Sequence, residues 1–166
     1  MESWDILDKN GNKTGKTIER GKPLHDDEYH LVVHVWIRNS KREYLISKRT
    51  PNKTYPNMWD TVGGSAIAGE TSIDAAVREV YEEIGLMLRT DEGKLIKRLM
   101  RQQYNSPDFV DVWFFNKDIE ISQLKFQPDE VSDAKWADKE TLLKMIHNGE
   151  MVDVYSYLYE VFCYNI

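Results

Sequence analysis

The stretch REVYEEIGL, residues 78–86, places Glu79, Glu82 and Glu83 close together, directly after Arg78 and just before Gly85. On a solvated face each like-charge pair costs only a few tenths of a kcal/mol. In a partly closed cleft, with an effective dielectric near 20, two carboxylates about 5.5 Å apart repel by roughly 3 kcal/mol. A cluster in such a cleft requires a divalent cation or takes up protons. Hard oxygen ligands without histidine or cysteine suit Mg²⁺ or Mn²⁺, and Mg²⁺ is usually held by a few carboxylates together with substrate phosphate oxygens.

The elements around these residues must aim them. Ile73, Ala76, Val77, Val80 and Ile84 recur at helical spacing, Thr71 with Asp74 forms a capping box, and Gly85 is a natural C-cap. At about 100° per residue, Glu83, Glu79 and Glu82 fall roughly 60°, 100° and 160° from Val80, on one side of the helix axis. They border the buried stripe. Arg78 projects about 160° from Val80, away from that stripe.

The chain of 166 residues suits one domain spanning 1–166, and its 41% hydrophobic and 30% charged residues are ordinary for a folded globular protein. The formal charge of −6, with no basic block interleaved with aromatics, argues against a nucleic-acid partner. No run approaches the ~18 apolar residues of a membrane span, and the start MESWDILDKNGNK lacks a secretory signal, so a cytoplasmic location is expected. Cys163 stands alone and fits a reducing compartment as a small packing residue.

WDIL, the turn-rich DKNGNK and KTGKTI predict an N-terminal hairpin. YHLVVHVWI (29–37) and EYLISKR (43–49) predict a strand pair, KLIKRLMRQQY (94–104) and FVDVWFFN (109–116) a second hairpin, and AKWA (134–137) a short strand. Helical patterns cover 72–84, 139–149 and 152–164. The last is apolar or aromatic nearly all round, so it needs cover from its own domain or from a second subunit of a homodimer.

Residues 64–86, GSAIAGETSIDAAVREVYEEIGL, resemble a complete Nudix box: Gly64, Glu70, Arg78, Glu79, Val80, Glu82, Glu83, Gly85 and Leu86 all match the family's spacing. The resemblance implies an α/β fold, an α/β/α sandwich around a central mixed β-sheet, here with the hairpin as an appendage. It also implies Mg²⁺- or Mn²⁺-dependent attack of water on a small-molecule diphosphate linked to another moiety X, commonly a nucleotide. By resemblance the metal ligands are Glu79, Glu82 and Glu83, with the carbonyl of Gly64. Either Glu79 or Glu83 would orient or deprotonate the attacking water. Arg78 would fix the loop and the glutamates through salt bridges. Gly63 and Gly64 would allow an unusual turn close to the metal.

Family members often place another acid before a late strand, which points to Glu130 first and Asp129 second in PDEVSDAKW. Arg49 often has a counterpart near the substrate phosphates, whereas strand alternation turns Lys48 to solvent. Trp59, with Trp36, Tyr55, Tyr104 and Trp113, is a candidate stacking face for a base, although aromatics in this number are more often core. The order HLVVHVWI, LISKR, YPNMWDTVGGS also resembles the isopentenyl-diphosphate isomerase branch. In that branch a cysteine is expected near Gly63, and none is there, which argues against isomerisation. His30 and His34 lie four strand steps apart, too far to share one ion, and are expected as ordinary strand histidines, candidates to line the pocket. A non-catalytic, nucleotide-binding module of the same family remains the alternative.

Overall fold

The computed structural model describes residues 1–102, 106–152 and 155–164. Asp8 shapes the first turn: its carboxylate accepts from the backbone N–H groups of Asn10 (2.8 Å) and Asn12 (3.0 Å), and Gly11 supplies the positive φ. The flanking segments β1 (Ser3–Leu7) and β2 (Lys13–Glu19) pair as an antiparallel hairpin.

β3 (His30–Arg38) is the central strand. Its neighbours are β8 (Asp108–Asn116), parallel to it from His30 to Arg38, and the short β6 (Val62–Ser65), antiparallel. β7 (Lys94–Arg101) pairs antiparallel with β8, as the hairpin pattern predicts. Both edges of β3 are thus taken along most of its length. β4 (Tyr44–Arg49) therefore meets it in register only at Arg38 and Tyr44, then diverges to pair with β9 (Val131–Ala137) and β5 (Trp59–Asp60). The strand pair expected between 29–37 and 43–49 is reduced to that one contact because β6, within WDTVGGS, takes the position beside β3. The result is a mixed sheet in two wings.

Helix α1 (Ser72–Ile84) covers one face. Thr71 caps its start by accepting from the Asp74 N–H at 3.3 Å, and Gly85 ends it in the left-handed region at φ +69°. Ala75, Ala76, Val80 and Ile84 pack beneath it against Val33, Val35, Ile37, Val62 and Phe115. A second cluster on the opposite face joins Trp36, Ile46, Val110, Val112 and Phe114 to Leu142 and Met145 of α2 (Lys139–His147) and to Leu158 and Val161 of α3 (Leu158–Cys163). Strand alternation on β3 feeds both clusters.

The helix expected over 152–164 is confined to α3. Before it, Met151 bridges to Trp59 of β5, where Val152 N–H donates to the Trp59 carbonyl and Trp59 N–H to the Glu150 carbonyl, both at 2.9 Å. Those bonds, with Tyr155 and Tyr157 turned inward, bury the aromatic run within its own chain, while Tyr159 is exposed. Cys163 is also exposed and does not pack as expected.

Candidate active site

Arg78 is the centre of the acidic edge. Its Nε and Nη2 donate to the two oxygens of Glu70 at 2.6 and 3.0 Å, and Nη2 also reaches the Ser65 carbonyl at 3.1 Å. Its Nη1 donates to Glu79 at 3.0 Å and to Glu82 at 2.9 Å. Burial opposes the charged guanidinium, but the Glu70 and Glu79 carboxylates outweigh it and hold Arg78 above the ordinary arginine range. One side chain thus ties the loop before α1 to two of its glutamates.

The glutamates divide by exposure. The side chain of Glu82 is 50% exposed and faces Arg78, that of Glu79 is 13% exposed, and Glu83 is buried. Among the described residues no three acidic, histidine or cysteine side chains converge on one point. Glu79 and Glu83 form the shielded pair. Burial raises the Glu79 carboxyl despite Arg78, with Glu82 adding to the rise. Burial, opposed by Lys53 and reinforced by Glu79 and Asp60, pushes Glu83 up to about 8.

Gly63 and Gly64 lie in strand β6 and make no turn, contrary to expectation. Their role is close approach. A Cβ on Gly64 would sit 2.4 Å from the Glu79 carboxyl carbon, and one on Gly63 2.2 Å from the Val33 carbonyl oxygen. The first glycine lets backbone meet a carboxylate, and the second lets β6 meet β3.

The loop after β4 and the loop before β9 close over Glu83. Thr50 Oγ1 donates to the Asp129 carbonyl at 2.8 Å, and Lys53 forms an ion pair with Glu130. The Gln127 N–H donates to the Glu83 carbonyl at 2.9 Å. Burial pulls the Lys53 ammonium down against the field of Glu83. Glu130 thereby reaches the cluster through Lys53, whereas Asp129 is exposed. Arg49 donates to Asp60 at 2.7 Å and to the Thr54 carbonyl at 2.5 Å. Burial raises Asp60 despite Tyr155 and Arg49, and Tyr155 donates to its carboxylate.

A cleft of about 400 Å³ is lined by Arg49, Asp60 and Ser65 beside the carboxylates, by His30 and His34 of β3, and by Trp4 of β1. Arg20, Arg101 and Tyr55 complete its rim. A cavity of about 440 Å³ bounded by Arg38, Arg42, Asn116 and Lys117 contains no carboxylate of the α1 cluster and is remote from this chemistry. Trp59 does not line the cleft. Its ring lies under the ammonium groups of Lys135 at 4.3 Å and Lys48 at 5.9 Å, so Lys48 faces an aromatic and not open solvent. Trp36 is fully buried, Trp113 donates to Ser72 at 2.8 Å, and Tyr104 lies outside the described residues.

Both strand histidines reach the cleft. Burial pushes His30 down to about 4 and His34 to about 3, so both rings are neutral near pH 7. His34 Nδ1 shares a 2.7 Å hydrogen bond with the Tyr157 hydroxyl. Sequence reasoning passed over Asp60, Lys53 and Tyr155. Asp60 carried a signal, an acid alternating with Trp59 across β5, but Lys53 owes its place to a loop with left-handed backbone at Tyr55 and Asn57 that no local pattern announces.

An uncharacterized Nudix hydrolase of Listeria monocytogenes is 42% identical over 164 residues, covering 98% of this chain and 94% of its own. The crystal structure of DR0079 from Deinococcus radiodurans superimposes with a TM-score of 0.77 at 27% identity, covering 99% of this chain and all of that one. An isopentenyl-diphosphate Delta-isomerase of Escherichia coli is 26% identical over 146 residues, 85% of this chain and 79% of its own. Residues 28–158 match the NUDIX domain family, and with the mixed sheet, the flanking helices and the box all in place, the chain belongs to the Nudix hydrolases.

Proposed function

We propose that the protein is a Mg²⁺- or Mn²⁺-dependent pyrophosphohydrolase that cleaves the anhydride of a nucleoside diphosphate derivative or a related X-linked diphosphate. The observation that carries this reading is the shielded Glu79 and Glu83 pair beside a cleft rimmed by arginines. All-oxygen donors in a shielded edge, with one carboxylate raised first by burial and then by Glu79 and Asp60, fit a hard divalent ion. Glu79 and Glu83, with the Gly64 backbone against Glu79 and Glu82 at the rim, would hold it. Bound there, it neutralises phosphate charge and makes water a better nucleophile near neutral pH.

The protein's own groups do the rest. Arg49 at the cleft meets the phosphate oxygens. Glu79 or Glu83, ionised once the cation is held beside them, accepts the proton of the attacking water as the new P–O bond forms and the bond from that phosphorus to the bridging oxygen breaks. The bridging oxygen leaves on the other phosphate. Arg78 holds Glu79 and touches no substrate. Glu130 keeps Lys53 in place over Glu83.

The isomerase reading fails for want of a thiol: the chain's one cysteine, Cys163, is on α3 and does not line the cleft. The test is a panel of nucleoside diphosphates and triphosphates, nucleotide sugars and prenyl diphosphates incubated with Mg²⁺, with products identified by mass. Hydrolysis that survives both a chelator and Glu83→Gln refutes the site.

A further inference from the structure

His34 and Trp36 stand two residues apart on one face of β3 and share a partner, the Tyr157 hydroxyl. Trp36 Nε1 donates to it at 3.1 Å, and His34 Nδ1 lies 2.7 Å from it. An indole N–H can only donate, so the hydroxyl oxygen accepts from Trp36 and keeps one hydrogen of its own to place. Tyr157 is 1% exposed, and among the described residues the acceptor in reach of that hydrogen is His34 Nδ1. A proton on Nδ1 would leave the phenol hydrogen buried and unbonded, a cost that the other tautomer avoids. Nδ1 therefore accepts. Burial keeps the ring neutral near pH 7, so its single proton is on Nε2.

Nε2 has no hydrogen-bond partner among the described residues, yet it is not one of their buried unpartnered nitrogens, which are Trp4 Nε1 and His30 Nδ1. It therefore keeps accessible surface, and the space that the part-buried His34 lines is the cleft. The cleft's own carboxylates are engaged elsewhere. Asp60 is held by Arg49 and Tyr155, and Asp108 takes both prongs of the Arg101 fork at 2.7 and 2.5 Å. A bound molecule must supply the acceptor, and the arginines of the rim favour one that carries negative charge.

Resting on the hydrolase reading above, we infer that His34 touches the substrate, its Nε2–H donating to an oxygen of the diphosphate in a tautomer fixed from behind by Trp36 and Tyr157. A neutral imidazole gives a hydrogen bond and not a proton, so His34 orients the anhydride and leaves proton transfer to the α1 glutamates. Since the acceptor is a phosphate oxygen, the contact is blind to X.

Spectra of the wild-type protein with nitrogen-15 in its histidines should show the His34 proton on Nε2 at pH 7, and methylenediphosphonate added with Mg²⁺ should shift that N–H signal. A proton on Nδ1, or a signal that the diphosphonate leaves unmoved, overturns the proposal. His34→Phe removes the donor and should weaken methylenediphosphonate binding about tenfold by calorimetry, the effect of one hydrogen bond to a charged acceptor. Equal binding overturns the proposal, and His34→Gln, whose amide N–H replaces the donor, should recover most of the loss. In hydrolysis by His34→Phe, KM should rise by the same factor for a nucleoside diphosphate and for methyl diphosphate. A rise confined to the nucleotide places the contact on X and also overturns it. If the wild-type protein hydrolyses no diphosphate, the hydrolase reading fails by itself, and the spectra and calorimetry still decide the donor.

Discussion

Glu83 is costly to the fold when charged, since burial and the neighbouring Glu79 and Asp60 all oppose its ionised form. Glu83→Gln should therefore lower kcat by about a hundredfold or more while leaving Tm equal or higher, measured by product formation and by thermal melting. Arg78 answers differently. Its fork meets Glu70, Glu79, Glu82 and the Ser65 carbonyl together, and a lysine ammonium cannot reproduce that planar geometry. Arg78→Lys should cost roughly 1–3 kcal/mol of stability by denaturant titration and lower kcat about tenfold as Glu79 loses its anchor. Helical angles alone ranked Glu82 outermost of the three glutamates, and the exposures agree. The same arithmetic puts Arg78 and Glu82 about 40° apart as i,i+4 neighbours, but it could not show that the guanidinium also reaches Glu70 and the Ser65 carbonyl in the preceding loop.

At the scale of the elements, adjacent glycines of β6 separate function from folding. Gly64→Ala drives a methyl group into the Glu79 carboxylate, so divalent-ion affinity by calorimetry should fall at least tenfold with the far-ultraviolet circular dichroism spectrum unchanged. Gly63→Ala meets the Val33 carbonyl instead, a rigid backbone atom, and should lower Tm by parting β6 from β3. Helix α1 was legible to its last residue because cap, apolar stripe and terminal glycine agree locally. β4 was misjudged because its partners β5 and β9 are distant in sequence or too short to show a pattern. The segment 152–157 reads as helix by its apolar residues. Long-range bonds between Val152 and Trp59, and tyrosine hydroxyls of Tyr155 and Tyr157 that meet Asp60 and His34, hold the described residues of that stretch out of the helix.

Across the whole molecule, three buried groups set the response to pH. His30 and His34 have folded values of about 4 and about 3 against an ordinary 6.5, so below pH 6.5 the unfolded chain binds protons that the folded one refuses. Their contribution is complete above pH 6.5 and is lost as pH falls through 4 towards 3. Glu83 has the opposite sign. Its folded value of about 8 against 4.5 keeps a proton that the unfolded chain releases, so stability declines as pH rises from 4.5 to 8. The metal-free protein should be most stable near pH 6.5, because from pH 4.5 to 6.5 the two histidines outweigh the one glutamate and above 6.5 the glutamate acts alone. Melting scans in chelator from pH 3.5 to 8.5 check this. Saturating Mn²⁺ or Glu83→Gln should flatten the alkaline limb alone.

The hairpin meets the box loop at Ala68, Gly69 and Glu70 through a few backbone, aspartate and lysine contacts. The first twenty residues are therefore mechanically coupled to the loop that carries Glu70, and Lys13→Ala, which removes the bond to the Glu70 carbonyl and the ion pair with Asp5, should loosen hairpin and box loop together, read as a lower Tm.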